Sequence, residues 1–191
     1  MKKKIFLQTL RSVIVLTALV MSNSAIGQST RKDQKLVRES NEAKEDFIDT
    51  DGLMNNLFTN AYAYVIFPNV GKGGMGIGGA VGNGIVYETG TIIGKAKLTQ
   101  LSIGFQFGGQ AYREVIFFES KADLDRFKEN KIEFSAQASA VAVTAGASAN
   151  VKYKEGVMIF TQQKGGLMYE ASVGGQKFNY SSFWQRPVIS R

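Results

Sequence analysis

The spacing of hydrophobic residues changes character twice along the chain. From Ser29 to Asn60 they recur at three, four or seven residues, at Leu36, Ala43, Phe47, Met54, Leu57 and Ala61, the period of one helix face. Lys35 with Glu39 and Arg38 with Glu42 add oppositely charged pairs four apart, as on the solvated side of a helix. Asp49-Thr50-Asp51-Gly52 breaks the stripe, so the pattern predicts two helices, with Asp51 or Asp49 near the cap of the second, laid over one face of a sheet. After Pro68 the period drops toward two. Ile85 to Tyr87, Thr91 to Ile93, Leu98 to Phe107, Glu114 to Phe118, Val157 to Thr161 and Leu167 to Val173 are strand candidates, mostly antiparallel. Ser120 with Asp123, ahead of Leu124 and Phe127, predicts a short capped helix ending near Asn130. Ser135 to Asn150 is nearly all small residues, and its alternation of Ala136, Ala138, Ala140 and Ala142 with bulkier neighbours favours a strand over a helix. The expected fold is α+β: a mainly antiparallel, glycine-rich β-sheet or barrel with N-terminal helices and one short inserted helix.

The stretch from Phe67 to Gly84 organises this pattern. At period two, Gly74, Gly76, Gly78, Ala80, Gly82 and Gly84 make one face bare, while Met75, Ile77, Val81 and Ile85 stand on the other. Glycine inside a strand forfeits packing, and its usual reason is close approach by another backbone or a ligand. The bare face therefore marks a contact, with the small-residue tract as a candidate partner. G-x-G-x-x-G occurs twice here, at Gly71, Gly73, Gly76 and at Gly74, Gly76, Gly79. A dinucleotide site would need a helix directly afterwards, and Ala80 to Tyr87 is too rich in glycine and β-branched residues for one. Asn83-Gly84 between apolar runs reads instead as a hairpin turn.

Residues 1–27 read as a secretory signal: Lys2, Lys3 and Lys4, an apolar run from Val13 to Met21, and Ala25-Ile26-Gly27 before Gln28. The rest, 28–191, is expected as one domain with a helical lead-in at 28–60, a β-rich core at 61–180 and a C-terminal tail at 181–191. The net charge of +7 includes four positive charges in the signal, which leaves +3, distributed as −2 over residues 28–60 and +5 over 61–191. With neither histidine nor cysteine, most templates for general-base, thiolate and zinc chemistry are closed. A calcium loop built on Asp49-Thr50-Asp51-Gly52 would put Phe47 and Phe58 at its first and twelfth ligand positions, so it fails. Glu88, Glu114, Glu119, Glu155 and Glu170 leave a carboxylate enzyme as a third choice, although each reads as a charge at an exposed strand edge. Phe105, Phe107, Phe117, Phe118, Phe160 and Tyr169 alternate as core residues do, while Tyr180, Phe183 and Trp184 beside Arg186 would dock on the sheet or meet a membrane interface. A charge of +3 in an exported chain does not suit nucleic acid.

Ala63-Tyr64-Val65-Ile66-Phe67-Pro68 leading into Lys72-Gly73-Gly74-Met75-Gly76-Ile77-Gly78-Gly79, then Ser102 to Gln110, the small-residue tract, and Lys164-Gly165-Gly166-Leu167 with Gly174-Gly175 resemble the SYLF-domain proteins. The resemblance spans about Leu53 to Tyr180. It implies a non-enzymatic lipid-binding module of a family that includes phosphoinositide-binding members, with no cofactor. The amphipathic segment that precedes the domain in that family is replaced here by the signal and a charged helix. The expected ligand is an anionic lipid or membrane surface, met by Lys72, Lys95, Lys97, Lys152 and Lys154, whose i,i+2 pairs share a side if extended. Gly74, Gly76, Gly78, Gly82 and Gly84 form the structural glycine face. The alternative is an envelope scaffold that uses that face for a protein partner or for self-association. The expected location is exported: periplasmic or secreted, on or near a membrane.

Overall fold

A computed structural model describes residues 31–75, 77–103, 110–132, 139–164, 171–172 and 175–183. The chain divides into two compact units, 1–37 and 38–191. Helix α1 covers residues 31–50, and its first seven residues are all that is described of the smaller unit. Everything below concerns 38–191.

Helix α2 (Met54–Asn60) follows α1 after the expected break. Asp51 fixes that break. Its carboxylate accepts from the Leu53 amide at 3.1 Å and, through the other oxygen, from the amide and hydroxyl of Ser148 at 2.8 and 2.7 Å. Burial pushes the Asp51 carboxyl up, but the hydrogen bonds from Ser148 and Leu53 outweigh it and hold the pKa below its ordinary value. In α1 and α2 the buried apolar residues are Ala43, Phe47, Met54 and Phe58, in two pairs four apart. Phe58, rather than Leu57, turns inward in the second helix, because its ring meets Tyr64 and Phe117 at 5.1 and 4.9 Å.

The strands are β1 (Ala63–Met75), β2 (Ile77–Glu88), β3 (Thr91–Ile103), β4 (Gln110–Phe118), β5 (Ser139–Ala142), β6 (Val157–Gln163), β7 (Ala171–Ser172) and β8 (Gln176–Ser182). Their order is β7-β5-β6-β4-β1-β2-β3-β8, with every pairing antiparallel except β5 with β6. The sheet is open, so of the two expected forms it is the sheet and not the barrel. Helix α3 (Lys121–Lys128) lies between β4 and β5 and has the capping box read from Ser120 and Asp123.

Ala63 to Phe67 are all buried, which a half-buried strand does not allow. Ala63, Val65 and Phe67 join one cluster with Phe118, Leu124, Phe127 and Phe178 on the side of α3. Tyr64 points the other way, against Phe58 of α2 and stacked on Tyr87 at 4.8 Å. The sheet thus has helices on both faces at this end, which explains the continuous apolar run. We call the α3 side the inner face and the α1/α2 side the outer face.

The glycine stretch differs from expectation in its path. Met75 pairs with Ile77, so the chain reverses around position 76. Gly74 lies in β1 and pairs with Gly78 in β2, while Gly82 and Gly84 continue along β2; Gly76 falls outside the described residues. Asn83-Gly84 is not a turn. Asn83 pairs with Asn69 and Lys97, and Gly84 with Ala96, inside β2. Glycine is needed there for space: a Cβ on Gly84 would stand 2.6 Å from the Ile66 carbonyl oxygen and 2.7 Å from the Phe67 ring, and one on Gly82 would stand 2.9 Å from Val70 Cγ2. The next reversal is at Thr89-Gly90, where both φ angles are positive, 48° and 78°, as a two-residue hairpin turn requires.

Among the described residues, the small-residue tract forms the four-residue β5 before the turns at 145–150. It pairs with β6 and β7, not with the glycine strands. Residues 133–138 lie outside the described set, as do Phe105, Phe107, Tyr169 and most of the strand expected at Leu167 to Val173.

Two outcomes are expected. Gly84→Val should lower stability by about 3 kcal/mol, since the new side chain meets backbone that cannot yield, whereas Gly71→Ala, with open space at its Cβ, should change it by less than about 1 kcal/mol; urea unfolding of both variants checks this. Asp51→Ala should cost about 3 kcal/mol by removing a charged acceptor from three hydrogen bonds. The Asp51 contribution is present above pH 3.8, the ordinary value, and is lost as pH falls through the depressed folded pKa, so the variant and the parent should converge in acid melts.

Candidate functional site

The outer face is covered unevenly. Over β4, β1 and the Ile85–Tyr87 end of β2 it is sealed by α1 and α2: Arg113 of β4 pairs with Asp46 at 2.5 Å, Gln162 of β6 bonds the Asp46 carbonyl at 3.1 Å, and Tyr87 bonds Asn41 at 3.1 Å. Lys44 closes this aromatic patch, its ammonium 5.1 Å from the Phe58 ring and 5.7 Å from that of Tyr64.

Beyond that patch the outer face of β3 and β8 is exposed. Ala96 and Leu98 of β3 belong to the inner core, so Lys95, Lys97 and Thr99 project outward. Their partners in β8 are Ser181, Asn179 and Lys177 in turn. Lys97, Thr99, Lys177 and Asn179 are exposed and Lys95 is half-buried. Two apolar side chains accompany them: Val81, opposite Thr99 and 52% exposed, and Phe183, 37% exposed, with the Lys95 ammonium 5.8 Å from its ring. Lysines around exposed apolar groups are an arrangement that a charged, amphipathic surface accommodates.

Of the five lysines read from the sequence, the structure brings together Lys95 and Lys97. Lys72 pairs with Ala80, an inner-core residue, so it stands on the opposite face. Lys152 and Lys154 precede β6, which is four places from β3 in the sheet, and Lys154 bridges to Val157. Lys177 was missed, although its alternation with Phe178 and Tyr180 is the same period-two signal that marks Lys95 and Lys97. Gly74 and Gly78 sit at the tip of the β1–β2 hairpin, and Gly82 and Gly84 are buried on the inner face of β2.

The inner face holds a second group of polar residues. Glu114, read as an exposed strand-edge charge, is fully buried. Its own register states the reason, since Tyr112, Ile116 and Phe118 on the same side of β4 are all core residues. One carboxylate oxygen accepts from the Gln176 side chain of β8 at 2.9 Å. Burial, only partly offset by this bond, pushes the Glu114 pKa up to about 8. Glu88 is unlike it: the Tyr62 hydroxyl at 2.6 Å and Lys128 at 3.4 Å keep its pKa low. Among the described residues no group of three or more acidic side chains is placed to hold a metal ion, and no helix is long and apolar enough to cross a membrane.

Residues 99–185 match the family Ysc84, described as "Las17-binding protein actin regulator", and this match overlaps the stretch that resembles SYLF-domain proteins. The beta cell expansion factor A of Aeromonas veronii is 28% identical over 156 residues, 80% of this chain and 56% of that protein. The chain thus spans little more than half the length of this curated relative.

Because Glu114 is held protonated in the fold, its contribution to stability is complete below its ordinary pKa of 4.5 and is lost as pH rises to about 8. Urea midpoints across this range, in a buffer whose only cation is bulky tetramethylammonium, should fall for the parent protein and fall less for Glu114→Gln.

Proposed function

We propose that the protein is an exported, non-enzymatic SYLF-type module that binds an anionic lipid surface through the outer face of β3 and β8. The observation that carries this reading is the grouping of Lys95, Lys97 and Lys177 around exposed Val81 and Phe183 on a part of the sheet that α1 and α2 leave uncovered. Each lysine at an anionic membrane contributes about 1 kcal/mol, so three acting together correspond to roughly 100-fold in affinity. Their field reaches about 8 Å at physiological salt, which makes the attachment peripheral and salt-sensitive. The SYLF domain supports a lipid or partner-binding role in general, and the lysine face supplies the lipid-specific part.

A protein partner is the second reading. The family description names binding to Las17 and actin regulation, and β8 ends the sheet, so a partner strand has an edge to join.

Vesicle co-sedimentation separates the two. The protein should bind anionic vesicles at low salt, bind neutral vesicles weakly, and lose roughly 100-fold in affinity for anionic vesicles when Lys95, Lys97 and Lys177 are all changed to Gln. Equal binding to both lipids, or an unaffected triple variant, would remove the lipid reading and leave the sheet edge as the working surface.

A further inference from the structure

Among the described residues of the inner face, one group of four buried oxygen atoms has no hydrogen-bond partner: Glu114 Oε1, Gln176 Oε1, Thr161 Oγ1 and Gln163 Oε1. They are neighbours. Thr161 of β6 is paired with Glu114 of β4, Gln163 is paired with Tyr112 two residues away on the same side of β4, and Gln176 of β8 is bonded to Glu114. Glu114 and Gln176 are fully buried and Thr161 is 1% exposed. Buried polar atoms are nearly always satisfied, so a group of unsatisfied ones requires a cause. The shared feature is their type. The carboxylate and amide oxygens accept only, and the hydroxyl accepts as readily as it donates.

Among the described residues, the groups that face Glu114 from the surrounding elements are uncharged: Phe67 across β1, Thr161 across β6, Tyr112 along β4, and Gln176 from β8. Lys72 shares this face of β1 but is level with Gln110, beyond Val70 and Tyr112. A carboxylate with neutral oxygens around it and, among the described residues, no basic residue beside it is the ligand set of a hard, compact cation.

We propose that this cluster is an internal binding site for one compact cation, with the Glu114 carboxylate as the charged ligand and the oxygens of Thr161, Gln163 and Gln176 completing the shell. Two sources offer this chemistry: an alkali or alkaline-earth metal ion, and a primary ammonium such as that of an ethanolamine head group. One negative charge among neutral oxygens favours a single positive charge. Binding requires Glu114 to ionise, so the cation displaces the proton that the buried carboxyl otherwise holds, and affinity rises with pH up to about 8. This site is on the opposite face from the lysines, and it stands or falls independently of the membrane-surface reading.

The test is thermal unfolding of the full chain in tetramethylammonium chloride, with K⁺, Na⁺, Mg²⁺, Ca²⁺ or ethanolammonium added in turn at constant ionic strength, at about pH 6 and about pH 8.5. One of them should raise Tm by about 3 °C at roughly ten times its Kd, more strongly at the higher pH, and should release a proton in weakly buffered solution at the lower. An effect of ethanolammonium alone assigns the site to an organic amine, and an effect of a metal ion alone assigns it to that metal. Glu114→Gln should abolish the response, and Thr161→Val, which keeps the carboxylate, should weaken the affinity at least several-fold. Identical melting in all salts would overturn the proposal. So would a cation response that survives in Glu114→Gln or is unchanged in Thr161→Val.

Discussion

The close approach of β1 to the side-chain-free positions of β2 is the constraint on which the rest of the fold depends. Phe67 and Val70 lean over Gly84 and Gly82 on the inner face, at distances that no Cβ would permit. The sheet can therefore bend inward at this point. Across the bend, β8 stands four places from β4 in the strand order, yet its Gln176 bonds Glu114 of β4 and its Phe178 ring lies 6.0 Å from Phe67 of β1. Phe127 of α3 completes the interior, 5.2 Å from Phe178 and 5.0 Å from Phe118. Burial of each such ring contributes about 1.5 to 3 kcal/mol, a gain available only because the glycines let β8 face β1 and β4 across the bend.

The bend also divides the molecule into surfaces with different chemistry. Helices α1 and α2 are long enough to seal the aromatic patch of Tyr64, Tyr87 and Phe117, where Lys44 caps the rings. On β3 and β8 the outward side chains are lysine, threonine and asparagine, and Lys97, Thr99, Lys177 and Asn179 are exposed. A strand whose inner residues are core and whose outer residues are basic suits a peripheral contact, because the apolar half is already used for folding. The inner surface is apolar around Phe67, Phe118 and Phe178 and becomes polar toward Glu114, Thr161 and Gln163.

How much of this the sequence states depends on whether a residue's neighbours are local or distant. The helix break at Asp51, the capping box at Ser120 and the strands around Val86, Val115 and Ile159 follow from local periods, and the structure has them. The need for space at Gly82 and Gly84 was legible too, but not what fills it: Phe67 and Val70 arrive from the partner strand, and the described strand of the small-residue tract pairs with β6 and β7. Asn83-Gly84 carries a turn signal that the ladder overrides, since both sides of that segment have strand partners. The five lysines illustrate the same limit. Period two puts Lys95 and Lys97 on one side of a strand, but it cannot tell that Lys72 faces the other way or that β8 brings Lys177 alongside.

Glu114 and Gln176 connect the two surfaces. β8 is an edge strand of seven residues with one laddered neighbour, and such strands are prone to slip in register. A slip by one residue would turn Gln176 and Phe178 outward and carry Lys177 into the interior, because alternate residues face opposite sides. The hydrogen bond to Glu114 opposes this slip from across the bend, where no backbone ladder joins β8 to β4, and Phe178 against Phe67 and Phe127 opposes it sterically. A buried carboxyl costs stability, and one role that offsets such a cost is the selection of a single register. The display of Lys177 beside Lys97 on the outer face is then a consequence of which β8 side chain Glu114 holds on the inner one.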